Sequence, residues 1–323
     1  MKKIVIFGGG SGLSQLLKGL KLFPIDVTAV VSVSDNGRST GRLRKDYNIP
    51  AVGDISKVLL SMSECDNEIR DLMNYRFTKS KSLGNHSIKN LLLTALLDLK
   101  GDFASSLPIL VKLLDIKGNV LPLTEDNVDL VGITSDGKKL FGEEQITKTK
   151  KIIERIEYSD EIKVNQKVID AVKKADLIIF SSGSLMTSII PHLLSNELNK
   201  AIKNSKGKTM YICNLFTQPG ETDDYKVSDH INLIEDYLGK NTIDLVVANN
   251  AKMNSNLLKK YETKEQKDQV LLDLEELNKK DIKVIADKLY KIEGNYYRHD
   301  ELKTAYLIFS YLMDGIKWHL LQD

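Results

Sequence analysis

Two aspartates and a histidine are the side chains in the N-terminal part of the chain best suited to metal or acid–base chemistry. Asp35 follows a run of β-branched residues, and Asp54 follows Pro50 and Gly53 at the start of an apolar helical pattern. Such carboxylates can hold Mg²⁺, or Asp35 can bind a ribose from the end of a second strand. The structural alternatives are an Asx-type turn at Asp35 and a helix N-cap at Asp54. His86 precedes another apolar helix, where it either supports the helix end or acts as an acid or base near neutral pH.

A glycine-rich stretch near the N-terminus has the composition of a phosphate-binding loop. The apolar run at 4–7 predicts a buried strand, and leucines at helical spacing after the glycines predict a helix. Glycines let a backbone approach a ligand, and the amides at a helix start favour a phosphate. The dinucleotide-binding pattern is incomplete, because Leu13 stands where a third glycine is expected, and no Lys-Ser/Thr pair follows as in a P-loop. The predicted phosphate-binding residues are Gly8, Gly9, Gly10, Ser11, Gly12 and Leu13.

Polar loops follow three further predicted strands, at 27–33, 177–180 and 209–215. Because the carboxyl ends of parallel strands meet at one edge of a sheet, we expect these loops to converge on the glycine-rich stretch. Their hydroxyl, amide and guanidinium groups suit a nucleotide or a sugar phosphate. The candidate ligand-binding residues in these loops are Asp35, Asn36, Ser39, Arg42, Gly183, Ser184, Asn214, Thr217 and Gln218.

The elements that must position these side chains alternate between strand and helix in both halves of the chain. This alternation predicts an α/β fold, Rossmann-like and doubly wound, around a mainly parallel sheet. Between about 115 and 165, short alternating runs and turn residues predict a small inserted antiparallel β subdomain. We expect residues 1–323 to form one domain that contains this insertion.

Composition narrows the class of protein. The 323 residues include 46 basic and 44 acidic side chains, and the net charge of +2 gives no overall attraction to nucleic acid or anionic membranes. Cys65 and Cys213 are far apart in sequence, as is typical of reduced thiols in a cytoplasmic protein. No apolar run reaches the ~18 residues of a membrane span. We expect a cytoplasmic protein with a small-molecule partner, without nucleic-acid binding or membrane insertion. A homodimer is the expected assembly, because closed two-fold symmetry is the commonest.

Six stretches, taken in order, carry a resemblance that covers almost the whole chain. The two most specific are Ser34–Leu43 and Asn214–Thr222. The other four are Gly8–Leu13, Gly53–Ile55, Val120–Asp126 and Gly183–Pro191. Together they resemble the CofD-like family, and most closely its YvcK branch, the gluconeogenesis factor or nucleotide-sugar-binding group.

The resemblance implies a regulatory factor that binds a UDP-sugar such as UDP-N-acetylglucosamine. It implies that this factor is required for normal cell shape and cell-wall growth under gluconeogenic conditions. It also implies that Tyr261 and Arg298 contact this ligand, the tyrosine by stacking and the arginine at the diphosphate. The transferase branch of the family implies an alternative, the Mg²⁺-dependent transfer of a phospholactyl group onto a deazaflavin precursor, with Asp35 and Asp54 as metal ligands. NAD is a third candidate ligand, suggested by the Rossmann-like opening.

The chain departs from the YvcK-like pattern at several positions. Asn36 replaces the second of two adjacent aspartates, and Arg38 replaces a glycine. Asn85 and Lys89 replace the two glycines of a Gly-His-x-x-Gly-Asn motif. The lost carboxylate weakens the case for a magnesium site, so we favour a nucleotide-sugar binder without catalytic turnover over the transferase.

Overall fold

A parallel sheet of seven strands forms the centre of the computed structural model, which describes residues 1–80 and 82–314. In chain order the strands of the described residues are β1 (Lys3–Gly8), β2 (Asp26–Val31), β3 (Asn119–Pro122), β4 (Leu130–Thr134), β5 (Lys139–Phe141), β6 (Ile153–Tyr158), β7 (Leu177–Phe180), β8 (Lys208–Ile212), β9 (Leu245–Asn249), β10 (Lys283–Asp287), β11 (Tyr290–Glu293) and β12 (Tyr296–His299).

Helices connect these strands and cover both faces of the central sheet. The α-helices are α1 (Gly10–Leu20), α2 (Arg38–Tyr47), α3 (Gly53–Met62), α4 (Asn67–Asn74), α5 (Ile88–Lys100), α6 (Phe103–Leu113), α7 (Glu143–Lys148), α8 (Gln166–Lys174), α9 (Ile190–Leu193), α10 (Asn196–Lys203), α11 (Val227–Leu238), α12 (Ser255–Lys260), α13 (Leu274–Lys279) and α14 (Glu301–Asp314). Two π-helical turns lie at Leu185–Ile189 and Tyr261–Glu265. None of the described helices combines the length and the apolar character needed to span a bilayer.

The strand order of the central sheet is β10-β9-β8-β7-β1-β2-β3, and all neighbouring pairs are parallel. The chain therefore builds outward from β1 through β2 and β3, then returns to add β7 on the other side of β1. This reversal makes the carboxyl ends of β1 and β7 the switch point at which doubly wound folds bind their ligands. The predicted α/β, doubly wound architecture is confirmed.

Apolar side chains on both faces of β1 explain why the strand is central. Ile4 and Ile6 are completely buried in one core, with helices α1, α3, α5, α6 and α14. Val5 and Phe7 are buried in the second core, with α8, α10 and α11. A strand buried on both faces has a continuous apolar sequence, which is the pattern that predicts it.

A small antiparallel sheet of order β5-β4-β6 lies within the segment predicted to be inserted, 115–165. The predicted segment starts too early, however, because its first strand, Asn119–Pro122, pairs in parallel with β2 in the central sheet. Val120 is buried in the main core, which accounts for this pairing. A second antiparallel pair, the hairpin of β11 and β12, turns at Gly294, whose φ of +60° favours glycine.

Helix α14 packs directly against α1, and Gly19 makes this close approach possible. A Cβ atom at Gly19 would lie 2.2 Å from the carbonyl oxygen of Glu301. Gln15 strengthens the contact, because its side-chain amide donates a hydrogen bond of 3.1 Å to the Glu301 carboxylate. The start of α14 is thereby fixed against the helix that follows the glycine-rich stretch.

Replacing Gly19 with alanine is expected to lower the free energy of unfolding by about 1–3 kcal/mol, the usual cost of overpacking. Alanine is favoured over glycine inside a helix by about 1 kcal/mol, so a loss of stability would show that the steric conflict dominates. Urea unfolding measures the change, with Lys18→Ala as a control at an exposed neighbouring position. A Gly19→Ala protein more stable than the wild type would contradict this account of the contact.

Candidate functional site

The glycine-rich stretch meets the loop after β7 at the switch point of the sheet. A Cβ atom at Gly12 would lie 1.8 Å from the carbonyl oxygen of Ser182, and one at Gly8 would lie 2.1 Å from Oγ of Ser181. Both glycines are therefore required by the packing of the two loops against each other. Phosphate binding by this stretch stays a prediction, and close backbone packing is a sufficient reason for these two glycines.

Asp54 reaches from the first turn of α3 to the N-terminus of α1. Its Oδ2 would lie 2.9 Å from a Cβ atom at Gly9, and Gly10 provides a backbone hydrogen bond to the carboxylate. The Asp54 side chain does not cap its own helix, because α3 begins at Gly53 with Val52 at the N-cap position. The N-cap interpretation of Asp54 is therefore wrong, since the helix starts two residues earlier than that role requires. The carboxylate lies instead at the helix start predicted to hold a phosphate.

Several carboxyl groups near this point hold their protons unusually well. Burial, followed by the charge of Asp35, raises the pKa of Asp54 to about 7. Burial also raises the pKa of Glu143 to about 8, with Asp54 and Asp35 adding to the shift. The pKa of Glu221, which is 5% exposed, is raised to about 7 by burial. Strongly shifted carboxyl groups are concentrated at functional sites, and the sequence patterns did not identify Glu143 or Glu221 as candidates.

Asn36 supports the inserted segment through its contacts with Gly142 and Glu144. Its Oδ1 accepts a hydrogen bond of 2.9 Å from the backbone amide of Glu144. A Cβ atom at Gly142 would lie 1.8 Å from Nδ2 of Asn36, so only glycine fits there. Asn36 thereby holds the start of α7, the helix whose first residue is Glu143.

The residues around the switch point line two cavities. The first, which we call the basic cavity, has a volume of about 590 Å³, and its described lining includes four cationic side chains. It is lined by Asp35, Gly37, Ser39, Thr40, Arg42, Gly53, Asp54, Lys57, Arg76, Thr78, Ser80, Gly84, Asn85, Lys89 and Asn90.

The second, which we call the Arg298 cavity, has a volume of about 450 Å³ and contains two cationic side chains. It is lined by Ser11, Gly12, Gln15, Ser182, Gly183, Ser184, Asn214, Leu215, Phe216, Thr217, Gln218, Lys267, Tyr297, Arg298 and His299. A hydrogen bond of 2.6 Å from Nζ of Lys57 to Oγ of Ser11 joins the two cavities.

Asp35 takes part in a turn and also lines the basic cavity. Its Oδ1 accepts a hydrogen bond of 2.8 Å from the Gly37 amide, and its Oδ2 accepts one of 2.9 Å from the Thr40 hydroxyl. This is the Asx-type turn that the sequence allowed. The charge of Asp35 also disfavours the ionisation of Asp54, which lines the same cavity.

His86 contacts the wall of the basic cavity through Ser39. The Nδ1 atom of His86 and Oγ of Ser39 are 2.8 Å apart, within hydrogen-bond distance. Burial, followed by the charges of Arg42 and Arg76, lowers the pKa of His86, so the neutral imidazole is favoured. An acid or base role for His86 stays a prediction.

The polar residues at the end of β8 hold the site's backbone in place. The side-chain amide of Asn214 accepts a hydrogen bond of 2.9 Å from the Gly183 amide and donates one of 2.7 Å to the Gly183 carbonyl. The Ser184 hydroxyl donates a hydrogen bond of 2.5 Å to Glu221, which also accepts one from the Gln218 side chain. Thr217 Oγ1 accepts a hydrogen bond of 2.8 Å from the backbone amide of Asp268. These contacts orient the loop after β7 along the Arg298 cavity.

Tyr261 and Arg298 differ in their access to the Arg298 cavity. Tyr261 is 5% exposed, and its ring stacks on Phe216 with ring centroids 4.2 Å apart and an interplanar angle of 6°. Its hydroxyl accepts a hydrogen bond of 2.8 Å from the Tyr297 amide, which holds β12. Phe216 is the member of the stacked pair that lines the cavity, although only Tyr261 was predicted as a ligand contact. Arg298 is exposed, lines the cavity, and lies 5.4 Å above the ring of Tyr296.

The structure thus separates the predicted ligand-binding residues into groups. Asp35, Ser39, Arg42 and Asp54 line the basic cavity, and most of the others line the Arg298 cavity. Those that line neither cavity are Gly8, Gly9, Gly10, Leu13, Asn36, His86 and Tyr261. Lys57, Lys89, Phe216 and Lys267 line the cavities without having been predicted.

Metal binding by protein side chains alone has no support in the part of the chain that the structure describes. Over residues 1–80 and 82–314, no group of three or more His, Cys, Asp or Glu side chains is arranged to hold a metal ion. Mg²⁺ commonly binds through one or two carboxylates together with substrate phosphates. Asp35 and Asp54 would provide those carboxylates if a phosphate ligand were present.

Comparison with known proteins assigns the family. A family model described as 2-phospho-L-lactate transferase CofD matches residues 4–290. The gluconeogenesis factor of Bacillus subtilis is 38% identical over 313 residues, which cover 97% of this chain and 98% of that protein. A putative gluconeogenesis factor of Thermotoga maritima is 40% identical over 314 residues, covering 95% of this chain and 98% of that protein.

The fold also has a solved counterpart. The crystal structure of a Bacillus halodurans member of the UPF0052 family superposes with a TM-score of 0.91 and 37% sequence identity, over 95% of this chain and 99% of that one. Sequence and fold agree over nearly the full length. The chain therefore belongs to the CofD family.

Proposed function

We propose that this protein is a cytoplasmic regulatory factor that binds a UDP-sugar of the UDP-N-acetylglucosamine kind in the Arg298 cavity. We further propose that it is required for normal cell shape and cell-wall growth under gluconeogenic conditions. The name of its relatives, gluconeogenesis factor, supports a metabolic role. The expected homodimer stays part of this proposal, and sedimentation analysis tests it.

The observation that carries the ligand assignment is the chemistry of the Arg298 cavity. Its described lining has two cations, Arg298 and Lys267, and no carboxylate. A diphosphate suits such a surface, because guanidinium and ammonium groups form charge-assisted hydrogen bonds with phosphate oxygens. Phe216 offers an aromatic face for a base, and the hydroxyls of Ser11 and Ser182 offer partners for a sugar. The volume of about 450 Å³ is within the usual range for small-molecule sites.

The family match and the aspartates of the neighbouring cavity favour a second candidate, a Mg²⁺-dependent transferase acting on a nucleotide-activated phosphoester. In that reaction, Asp35 and Asp54 would hold the cation that neutralises the developing charge. The described lining of the basic cavity contains no aromatic or aliphatic side chain, which disfavours a flat deazaflavin as the acceptor. Incubation with nucleotide-activated substrates and Mg²⁺ separates the two functions. Release of free nucleotide, abolished by Asp54→Asn, would favour the transferase.

Calorimetric titration with UDP-N-acetylglucosamine should show binding, and Arg298→Ala should weaken it by about tenfold or more. The reason is the loss of a charge-assisted hydrogen bond, which contributes about 1.5–3 kcal/mol. Arg155→Ala is the matched control, because Arg155 is also an exposed arginine on a short antiparallel sheet, outside the lining of either cavity. NAD is titrated in parallel, and its displacement of the UDP-sugar would assign both ligands to one cavity. Absence of binding heat and of thermal stabilisation at millimolar UDP-sugar would rule out the proposed ligand.

Asp54→Asn is expected to stabilise the unliganded protein at pH 8 and to have little effect near pH 4. The folded-state pKa of about 7 exceeds the ordinary value of 3.8, so the folded protein retains a proton that the unfolded chain releases. The free energy of unfolding therefore falls as the pH rises from 3.8 to about 7, and the full penalty is present above pH 7. Relief of this penalty should contribute about 0.5–2 kcal/mol, as is typical of substitutions at strained functional sites.

Thermal unfolding at several pH values measures this effect. Asp102→Asn is a control of opposite sign, because hydrogen bonds from Ser105 lower the pKa of Asp102, and its ionised form stabilises the folded state. That variant should lose stability at pH 8, and this loss should disappear only as the pH falls below the ordinary value of 3.8. An Asp54→Asn protein less stable than the wild type at pH 8 would show that the ionised carboxylate, by holding the start of α1, is a net stabiliser.

A further inference from the structure

Cationic side chains from several helices and loops converge on the basic cavity. Arg42 comes from α2, Lys57 from α3, Arg76 from the segment after α4, and Lys89 from α5. Among the described residues, the same lining contains two carboxylates, Asp35 and Asp54. Positive charge is therefore in excess within the cavity.

Lys57, Arg76 and Lys89 hydrogen-bond only to neutral partners among the contacts recorded for residues 1–80 and 82–314. None of the three forms an ion pair with a carboxylate there. Lys89 donates a hydrogen bond of 2.6 Å to Oδ1 of Asn74, and Arg76 donates one of 3.1 Å to the carbonyl oxygen of Asn85. These contacts position Arg76 and Lys89 without neutralising them, whereas the charge of Lys57 also interacts with Asp54.

Lys89 is partly buried beside two other cations of the cavity. Burial, followed by the charges of Arg76 and Lys57, lowers the pKa of the Lys89 ammonium to about 8. Bringing like charges together in a partly buried place costs free energy, and a bound anion would offset that cost.

We propose that the basic cavity binds a second ligand, a small phosphorylated sugar, with its phosphate between Arg76, Lys57 and Lys89. The rest of the lining consists of hydroxyl, amide, carboxyl and guanidinium groups together with glycines, and includes Ser39, Thr78, Ser80 and Asn90. Such a surface suits a polyhydroxylated ligand, and the volume of about 590 Å³ accommodates a small molecule. This site is separate from the proposed UDP-sugar site, because none of the four cations lines the Arg298 cavity. Lys57 is the one of them that contacts that cavity's lining, through its hydrogen bond to Ser11.

Titration calorimetry of the full chain with glucose 6-phosphate, inorganic phosphate and glucose tests this proposal. We expect glucose 6-phosphate to bind more tightly than inorganic phosphate, and glucose to give no heat. Arg76→Ala and Lys89→Ala should each weaken glucose 6-phosphate binding by about tenfold or more, through the loss of a charge-assisted contact. Lys89→Gln keeps most of the side-chain volume and should have the same effect, which guards against a folding defect in the alanine variant.

The controls separate this site from the UDP-sugar site. Lys100→Ala, an exposed substitution at the end of the same helix α5, should leave glucose 6-phosphate affinity unchanged. Arg298→Ala should also leave it unchanged, whereas Arg76→Ala should keep UDP-N-acetylglucosamine affinity within about twofold. The proposal is overturned if glucose 6-phosphate does not bind at millimolar concentration, or if Arg76→Ala and Lys89→Gln bind it as the wild type does. Equal affinities for glucose 6-phosphate and inorganic phosphate would overturn the sugar part of the assignment.

Discussion

The close approach of Gly12 to Ser182 is the contact on which the arrangement of the site depends. It brings the first turn of α1 against the loop after β7, the two strand ends that flank the switch point of the sheet. In doubly wound folds a ligand commonly lies in the crevice at this point. Here backbone packs against backbone at the switch point, and the space available to ligands is divided between two cavities joined by the bond from Lys57 to Ser11.

The carboxyl groups of Asp35, Asp54 and Glu143 lie near this contact, and grouping them there lowers the stability of the folded protein. A carboxylate at a helix N-terminus is ordinarily favourable, because it interacts with the positive end of the helix dipole. Asp54 occupies such a position at α1, yet burial and the neighbouring Asp35 outweigh that gain and favour its protonated form. Glu143 is brought near the same acids by Asn36, which anchors the start of α7. Proteins tolerate such unfavourable groupings mainly where function requires them.

Much of the fold followed from local patterns in the sequence. The apolar runs at 4–7 and 177–180 predicted central strands, because strands buried on both faces need continuous apolar sequence. The hairpin that carries Arg298 was missed, since its strands are short and mostly exposed and lack a clear alternation. The role of Asp54 was also missed, because its partner lies at Gly10, on another helix. Periodicity describes one element at a time, whereas both cavities are formed by residues from several elements.

Tyr261 shows how a residue can influence ligand affinity without touching the ligand. Its hydroxyl accepts the amide hydrogen of Tyr297, the residue before Arg298, while its ring supports Phe216. The hairpin lies outside the central sheet, and this bond holds it together with the burial of Tyr297 in the main core and the hydrogen bond from the Asn254 amide to the Tyr297 hydroxyl. An arginine already held in place loses less entropy when a ligand binds than one on a mobile hairpin. A change in affinity on replacing Tyr261 with phenylalanine, which removes the hydroxyl and keeps the ring beneath Phe216, would therefore measure the preorganisation of Arg298.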